Sequence, residues 1–157
     1  RSLSEAAVGE RFAKLTTYHP VFSSCNRNFH HDGSRIEGRW CGDCPKCRFT
    51  TLALAPWLSP EAVTDIVGAN LLDDPGQEEG FRALCALGRD KPFECVGTVE
   101  ESRALLAALL DKPAWSDAAL VRLLGPEVLE SRGALAALLK PAGPHEIPDE
   151  ITARVAL

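Results

Sequence analysis

Four cysteines carry the clearest chemistry in this sequence. Cys25 stands alone, and fifteen residues later Cys41-Gly42-Asp43-Cys44-Pro45-Lys46-Cys47 sets two Cys-x-x-Cys turns in tandem that share Cys44. Such a turn, with glycine or small polar residues between the sulfurs, lets both thiolates face one ion at the roughly 2.3 Å that a zinc–sulfur bond requires. Four thiolates close a tetrahedral shell and leave no position for water or substrate, so a structural ion is expected. Arg39, Lys46 and Arg48 crowd the cluster with positive charge, which favours deprotonated sulfur. Zinc is the expected metal. An iron–sulfur cluster is the competitor, although the further cysteine followed by proline that completes the bacterial ferredoxin run does not follow Cys47. Disulfide pairing is the third alternative, and it suits an oxidising compartment.

Residues 25–47 are rich in Asn, His, Asp, Gly and Arg, too polar to order themselves by burying apolar surface. Metal binding can supply on the order of 10 kcal/mol of apparent free energy and offset the ordering entropy of such a loop. Within it, Asn26, Arg27, His30, His31 and Arg39 are the candidates for substrate contact, since Arg and His suit carboxylate or pyrophosphate groups. His30-His31 could also be read as metal ligands, but four thiols already complete a zinc shell and a solvated pair is the simpler reading. No catalytic residue is assigned. Glu94, Glu100 and Glu101 are carboxylates that could move a proton, but the last two fall in the first turn of an expected helix, where the dipole alone favours carboxylates. Cys85 and Cys95 are expected to be packed small side chains.

The elements that must position this loop are mostly helical. Ser4 to Leu15 reads as an amphipathic helix with Val8, Phe12 and Leu15 on its apolar face and Ser4 as N-cap. Tyr18-His19-Pro20-Val21-Phe22 reads as a short extended stretch, the last strand of a sheet. Pro45 opens a helix through Phe49, Leu52 and Leu54 toward Pro56-Trp57, and Ser59-Pro60-Glu61 starts another that ends at Gly68. Phe81, Leu84, Cys85 and Leu87 mark a further helix closed by Gly88, and Thr98-x-x-Glu101 is a capping box ahead of a leucine stripe. Trp115-Ser116-Asp117 is expected to begin a helix through Leu124, and Gly125-Pro126 to separate it from a last helix through Leu139. From Pro141 the proline-rich tail is expected to wrap the surface or fray.

The expected fold is therefore mainly α, a small helical domain with a zinc-pinned loop. Four regions are expected: 1–22, the end of an upstream α/β domain; 23–58, the four-cysteine loop and its helix; 59–140, helical; and 141–157, the tail. The chain has 157 residues, 45% hydrophobic and 25% charged, which suits one globular domain with its own core. A net charge of −5 argues against gripping phosphate backbones, so nucleic acid is not an expected partner. No run approaches the roughly 18 apolar residues of a membrane span, and cysteines grouped for metal fit a cytoplasmic compartment. The chain contains no methionine, so Arg1 is expected to be a boundary inside a longer protein.

Ser24-Cys25 with Cys41-Gly42-Asp43-Cys44-Pro45-Lys46-Cys47-Arg48 resembles the N-type ATP pyrophosphatase superfamily, in particular its 7-cyano-7-deazaguanine synthases. That likeness covers about residues 19 to 52 and implies zinc beside an active site. The longer pattern, which adds Lys91-Pro92-Phe93-Glu94-Cys95-Val96-Gly97 and Glu100-Glu101-Ser102-Arg103, is similar to the carboxy-terminal part of the MurL family of UDP-muramoyl dipeptide epimerases. This resemblance implies a larger α/β protein that uses ATP and magnesium. Its chemistry would convert the terminal L-Glu of UDP-MurNAc-L-Ala-L-Glu to D-Glu through an acyl adenylate in peptidoglycan synthesis. The partners implied are that dipeptide and the amino-terminal part of the same protein. The sequence holds no Ser-Gly-Gly-x-Asp-Ser phosphate loop, which places the nucleotide site upstream. Another ATP-dependent ligase or modifying enzyme, and a non-enzymatic zinc-stabilised interaction module, are the alternatives.

Overall fold

A computed structural model describes residues 2–29, 34, 36–141, 143 and 146–155. Among them the helices run α1 (Glu5–Ala13), α2 (Pro45–Leu54), α3 (Pro60–Val67), α4 (Glu78–Leu84), α5 (Val99–Leu109), α6 (Ala119–Leu124), α7 (Leu135–Leu138) and α8 (Asp149–Val155). Short 3-10 segments lie at Thr16–Tyr18, Asn26–Asn28, Pro75–Gln77 and Gly125–Ser131, and the described residues form no strand.

Local signals account for several boundaries. Ser4 and Ser59 cap α1 and α3 by accepting from Ala7 N–H and Ala62 N–H, and Pro45 and Pro60 occupy first-turn positions where no N–H is needed. Thr98 and Glu101 form the reciprocal capping box at the start of α5. Helix α5 is central, packing on α1, α2, α6, α7 and the Gly125–Ser131 segment, while α2 packs on α1, α3 and α4. Leu52, Leu72, Phe81, Leu84, Leu105, Leu106, Leu109, Leu120 and Leu124 fill one core with the Cys25, Cys44 and Cys47 side chains at its edge. The Trp115 indole is buried in it and donates to Leu58 O at 2.9 Å.

Five expectations from sequence are sharpened or corrected. The stretch 18–22 is a turn: Val21 N–H and Phe22 N–H both donate to Tyr18 O, at 3.1 and 2.9 Å. No neighbouring strand offers a ladder, and the turn brings Phe22 onto Phe12 and Trp40, with ring centroids 4.5 and 5.3 Å apart. Helix α1 buries Ala6, Ala7, Gly9 and Ala13, while Val8 and Leu15 are exposed. The helix expected from Trp115 begins only at Ala119, because the indole is drawn into the core within a turn. The last expected helix is divided into the 3-10 segment and the single turn of α7, with Gly133 at φ +84° between them. Gly133 there adopts the left-handed conformation that ends helices. The tail, expected to wrap the surface or fray, carries α8 immediately after Pro148.

Small residues set how closely α1 meets α2. A Cβ on Gly9 would lie 2.8 Å from Ala53 O and 3.2 Å from Ala53 Cβ. Alanine would ordinarily gain about 1 kcal/mol of helix propensity at such a position. Here the contact is with backbone and the helices must separate, so we expect Gly9→Ala to destabilise by about 1–2 kcal/mol. A raised urea midpoint would refute the close-packing account.

Candidate metal centre

The four cysteines arrive from three directions. Cys25 precedes the 3-10 turn Asn26–Asn28, Cys41 ends the long loop, and Cys44 and Cys47 are the N-cap residue and a first-turn residue of α2. Gly42, at φ +70°, makes the turn that leads Cys41 toward Cys44. The two ends of the loop are tied by hydrogen bonds. Ser23 Oγ donates to Arg39 O at 2.6 Å, and Asn28 Nδ2 donates to the same carbonyl at 3.3 Å.

The result is a compact sulfur cluster. All four Sγ atoms lie within 4.8 Å of one another. Cys44 and Cys47 Sγ are 3.4 Å apart, and Cys41 and Cys47 Sγ are 3.7 Å apart. A tetrahedron of sulfurs at zinc bond length has edges of about 3.8 Å, so the quartet has the size to surround one ion. Six free thiols and no disulfide are present, so the pairing alternative is not what the side chains form.

Backbone amides already point at the sulfurs. Cys41 N–H donates to Cys25 Sγ at 3.3 Å, and Asp43 N–H donates to Cys41 Sγ at 3.4 Å. Burial pushes the Cys44 thiol up, but the N–H groups of Cys47 and Asn26 outweigh it and the net shift is downward. The Cys47 amide belongs to the first turn of α2, where the helix dipole also favours thiolate. Burial holds Cys25 and Cys47 above the usual thiol range, and the neighbouring Cys44 raises Cys47 further. Charge outside the shell is arranged to match. The Cys41 thiolate, then Asp43, holds the Arg27 guanidinium above its ordinary value, and Asp43 bridges Arg27 and Arg48 at 3.0 and 2.7 Å.

The other candidate residues are distributed around this centre. Asn26 Nδ2 donates to Glu94, so the 92–96 segment meets the metal loop. Arg39 Nη1 donates to His19 O at 2.8 Å and Phe22 O at 3.3 Å, which commits that nitrogen to fastening the loop to the preceding turn. His30 and His31 lie outside the described residues. Cys85 is buried, and burial pushes its thiol up to about 12. Cys95 is exposed, contrary to expectation, as is Phe93 two residues before it. Sequence reasoning missed the roles of Asp43 and Glu94. An acidic residue between two cysteines, flanked by Arg27 and Arg48, was an available signal for Asp43; nothing local marked Glu94.

Glu101 is not placed for proton transfer. It is 2% exposed and bridges two helices. One carboxylate oxygen accepts from Glu5 N–H at 2.5 Å and Ala6 N–H at 3.2 Å at the start of α1, and the other from Thr98 N–H at 2.6 Å.

Fold and site together define a small helical domain with a cluster of four cysteines that could hold a metal ion. Residues 21–138 match the family described as the MurL C-terminal domain. The chain belongs to that family. It is 44% identical over 99% of its length to the UDP-N-acetyl-alpha-D-muramoyl-L-alanyl-L-glutamate epimerase of Xanthomonas oryzae pv. oryzae. It is 45% and 43% identical, over 94% of its length, to proteins of the same name from a Micromonospora species and Salinispora tropica. The chain spans about a third of the length of these relatives, 35% of the first and 33% of the others. No solved structure matches it. No helix among the described residues is long and apolar enough to cross a membrane.

Proposed function

We propose that this chain is the carboxy-terminal part of a cytoplasmic, ATP-dependent epimerase that converts the terminal L-Glu of UDP-MurNAc-L-Ala-L-Glu to D-Glu for peptidoglycan synthesis. The observation that carries this reading is the identity of 43–45% to proteins bearing that epimerase's name, extending over almost the whole chain. The chemistry is coherent. A free carboxylate leaves the α-proton of glutamate very weakly acidic, whereas an acyl adenylate withdraws charge and makes that proton removable. Attack of the carboxylate on the α-phosphorus of ATP would release pyrophosphate, and water would return the inverted acid and AMP.

In this reading Cys25, Cys41, Cys44 and Cys47 hold zinc, which closes the loop and takes no part in the reaction. Their spacing supports a single ion, because sulfurs within 4.8 Å of one another leave little room for an iron–sulfur cube between them. ATP and magnesium would bind an upstream α/β part, since this chain has no phosphate loop. Asn26 and Arg27 would face the acidic dipeptide, and the other candidates, His30, His31 and Arg39, belong to the same loop. Arg27 is half exposed and its Asp43 partner equally so, which leaves the guanidinium open to a competing carboxylate.

The test is made on the full-length protein. Supplied with ATP, magnesium and the L-Glu dipeptide, it should form AMP and the D-Glu epimer together; turnover without AMP, or no turnover, would remove the reading. Arg27→Ala should raise the KM for the dipeptide about tenfold, the loss of ~1.4 kcal/mol of binding, with little change in thermal stability.

A further inference from the structure

Helix α1 buries its small residues, and larger apolar residues on and just beyond it stay wholly or partly exposed. Ala6, Gly9 and Ala13 recur at helical spacing and are buried, with Gly9 against Ala53 of α2, while Val8 and Phe12 share another side of the helix and Leu15 follows just past its end. Val8 is 46% exposed and Leu15 50%. Phe12 is half-buried and helps to line a groove of about 340 Å³ between α1 and α2, which Gly9, Phe22, Phe49 and Ala53 also line. Tyr18 and Val21 extend the exposed apolar surface beyond the end of α1. Isolated apolar residues on a surface are ordinary, but a stripe continuous with a groove is the form of an interface.

Two further observations say what covers it. The match to the C-terminal domain family begins at residue 21, so α1 precedes the matched domain and yet packs into its core. About two thirds of each relative lies outside the stretch this chain matches. A helix between two domains, with one face bedded in the second, has its other face available to the first. We propose that the Val8–Phe12–Leu15 stripe and the adjoining groove are the seat of the upstream part of the same polypeptide. Ser24 and Lys46 line the groove and adjoin Cys25 and Cys47 in sequence, so the docked upstream part would lie next to the metal centre. This rests on family membership and not on the epimerase activity, and the two can fail separately.

Photo-crosslinking on the full-length protein tests it. A benzophenone amino acid is placed at Val8, at Leu15, and at the exposed Leu129 of the 3-10 segment as control, and peptides are sequenced after illumination. Two probe positions guard against one that disturbs folding. Links from Val8 and Leu15 should reach residues upstream of this chain within the same monomer, at several times the Leu129 yield. Links to a second copy, links confined to this chain, or yields equal to that of Leu129 would each overturn the proposal. Epimerase activity does not enter the readout.

Discussion

Replacing Cys44 by serine is expected to remove the metal and release the loop from residue 23 to residue 48. Cys44 stands at the centre of the cluster, 3.4 Å from Cys47 Sγ and receiving the amides of Cys47 and Asn26. A serine hydroxyl is neutral near pH 7 and a poor ligand for zinc, so the shell loses one of four anionic donors. The free energy at stake is on the order of 10 kcal/mol, larger than any other single contribution to this loop, whose own side chains are polar. The helices beyond Ser59 bury their leucines against one another and should persist. Metal analysis should give about one zinc per wild-type chain and a small fraction of that in the variant. Hydrogen exchange should quicken across 23–48 and little elsewhere. Unchanged metal content, or iron with a brown colour in the wild type, would overturn the zinc assignment.

The same centre should respond to acid. Burial holds Cys25 and Cys47 above the usual thiol range in the metal-free fold, so both keep their protons there at neutral pH. Zinc binding must expel those protons, and apparent affinity therefore rises with pH and falls by about tenfold per released proton for each unit of acidification. A chelator competition at pH 8 and pH 6 should show weaker retention at pH 6.

Glu101→Ala is the second large effect. Its carboxylate accepts three backbone N–H groups, at the first turns of α1 and at the N-cap of α5, where helix amides have no partners of their own. Alanine would leave buried donors without acceptors and remove the charge that complements two helix dipoles. We expect a loss of about 3–5 kcal/mol, a large share of the 5–15 kcal/mol typical of a domain. Glu101→Gln should fall between, because its amide keeps one acceptor but turns NH2 toward a donor. A urea midpoint within error of wild type for Glu101→Ala would show that solvent replaces the carboxylate. The variant should also loosen α1, since Ser4 Oγ donating to Leu138 O is among the few other polar ties at that end.

The legible part of this protein was its local chemistry. Cys-x-x-Cys spacing dictates which sulfurs can share an ion, and the quartet could be named from sequence because three of its members sit within seven residues. Helix starts were equally legible at Ser4, Ser59 and Thr98, where one side chain and its own neighbours decide the outcome. Even the resemblance to the MurL family was carried by short runs of this kind.

Only the tertiary structure decided what the elements do for one another. Residues 18–22 have β-favouring side chains, but a strand needs a partner, and without one Phe22 folds back onto Phe12. The capping box named Glu101 as the acceptor for α5; its second carboxylate oxygen capping α1, ninety-five residues away, depends on packing that no local pattern encodes. Burial of α1 went to its alanines and Gly9 because backbone approach to Ala53 rewards small residues over large ones. Val8 and Leu15, which the helical period marks as core, were left about half exposed, while Phe12 is half-buried against Phe22.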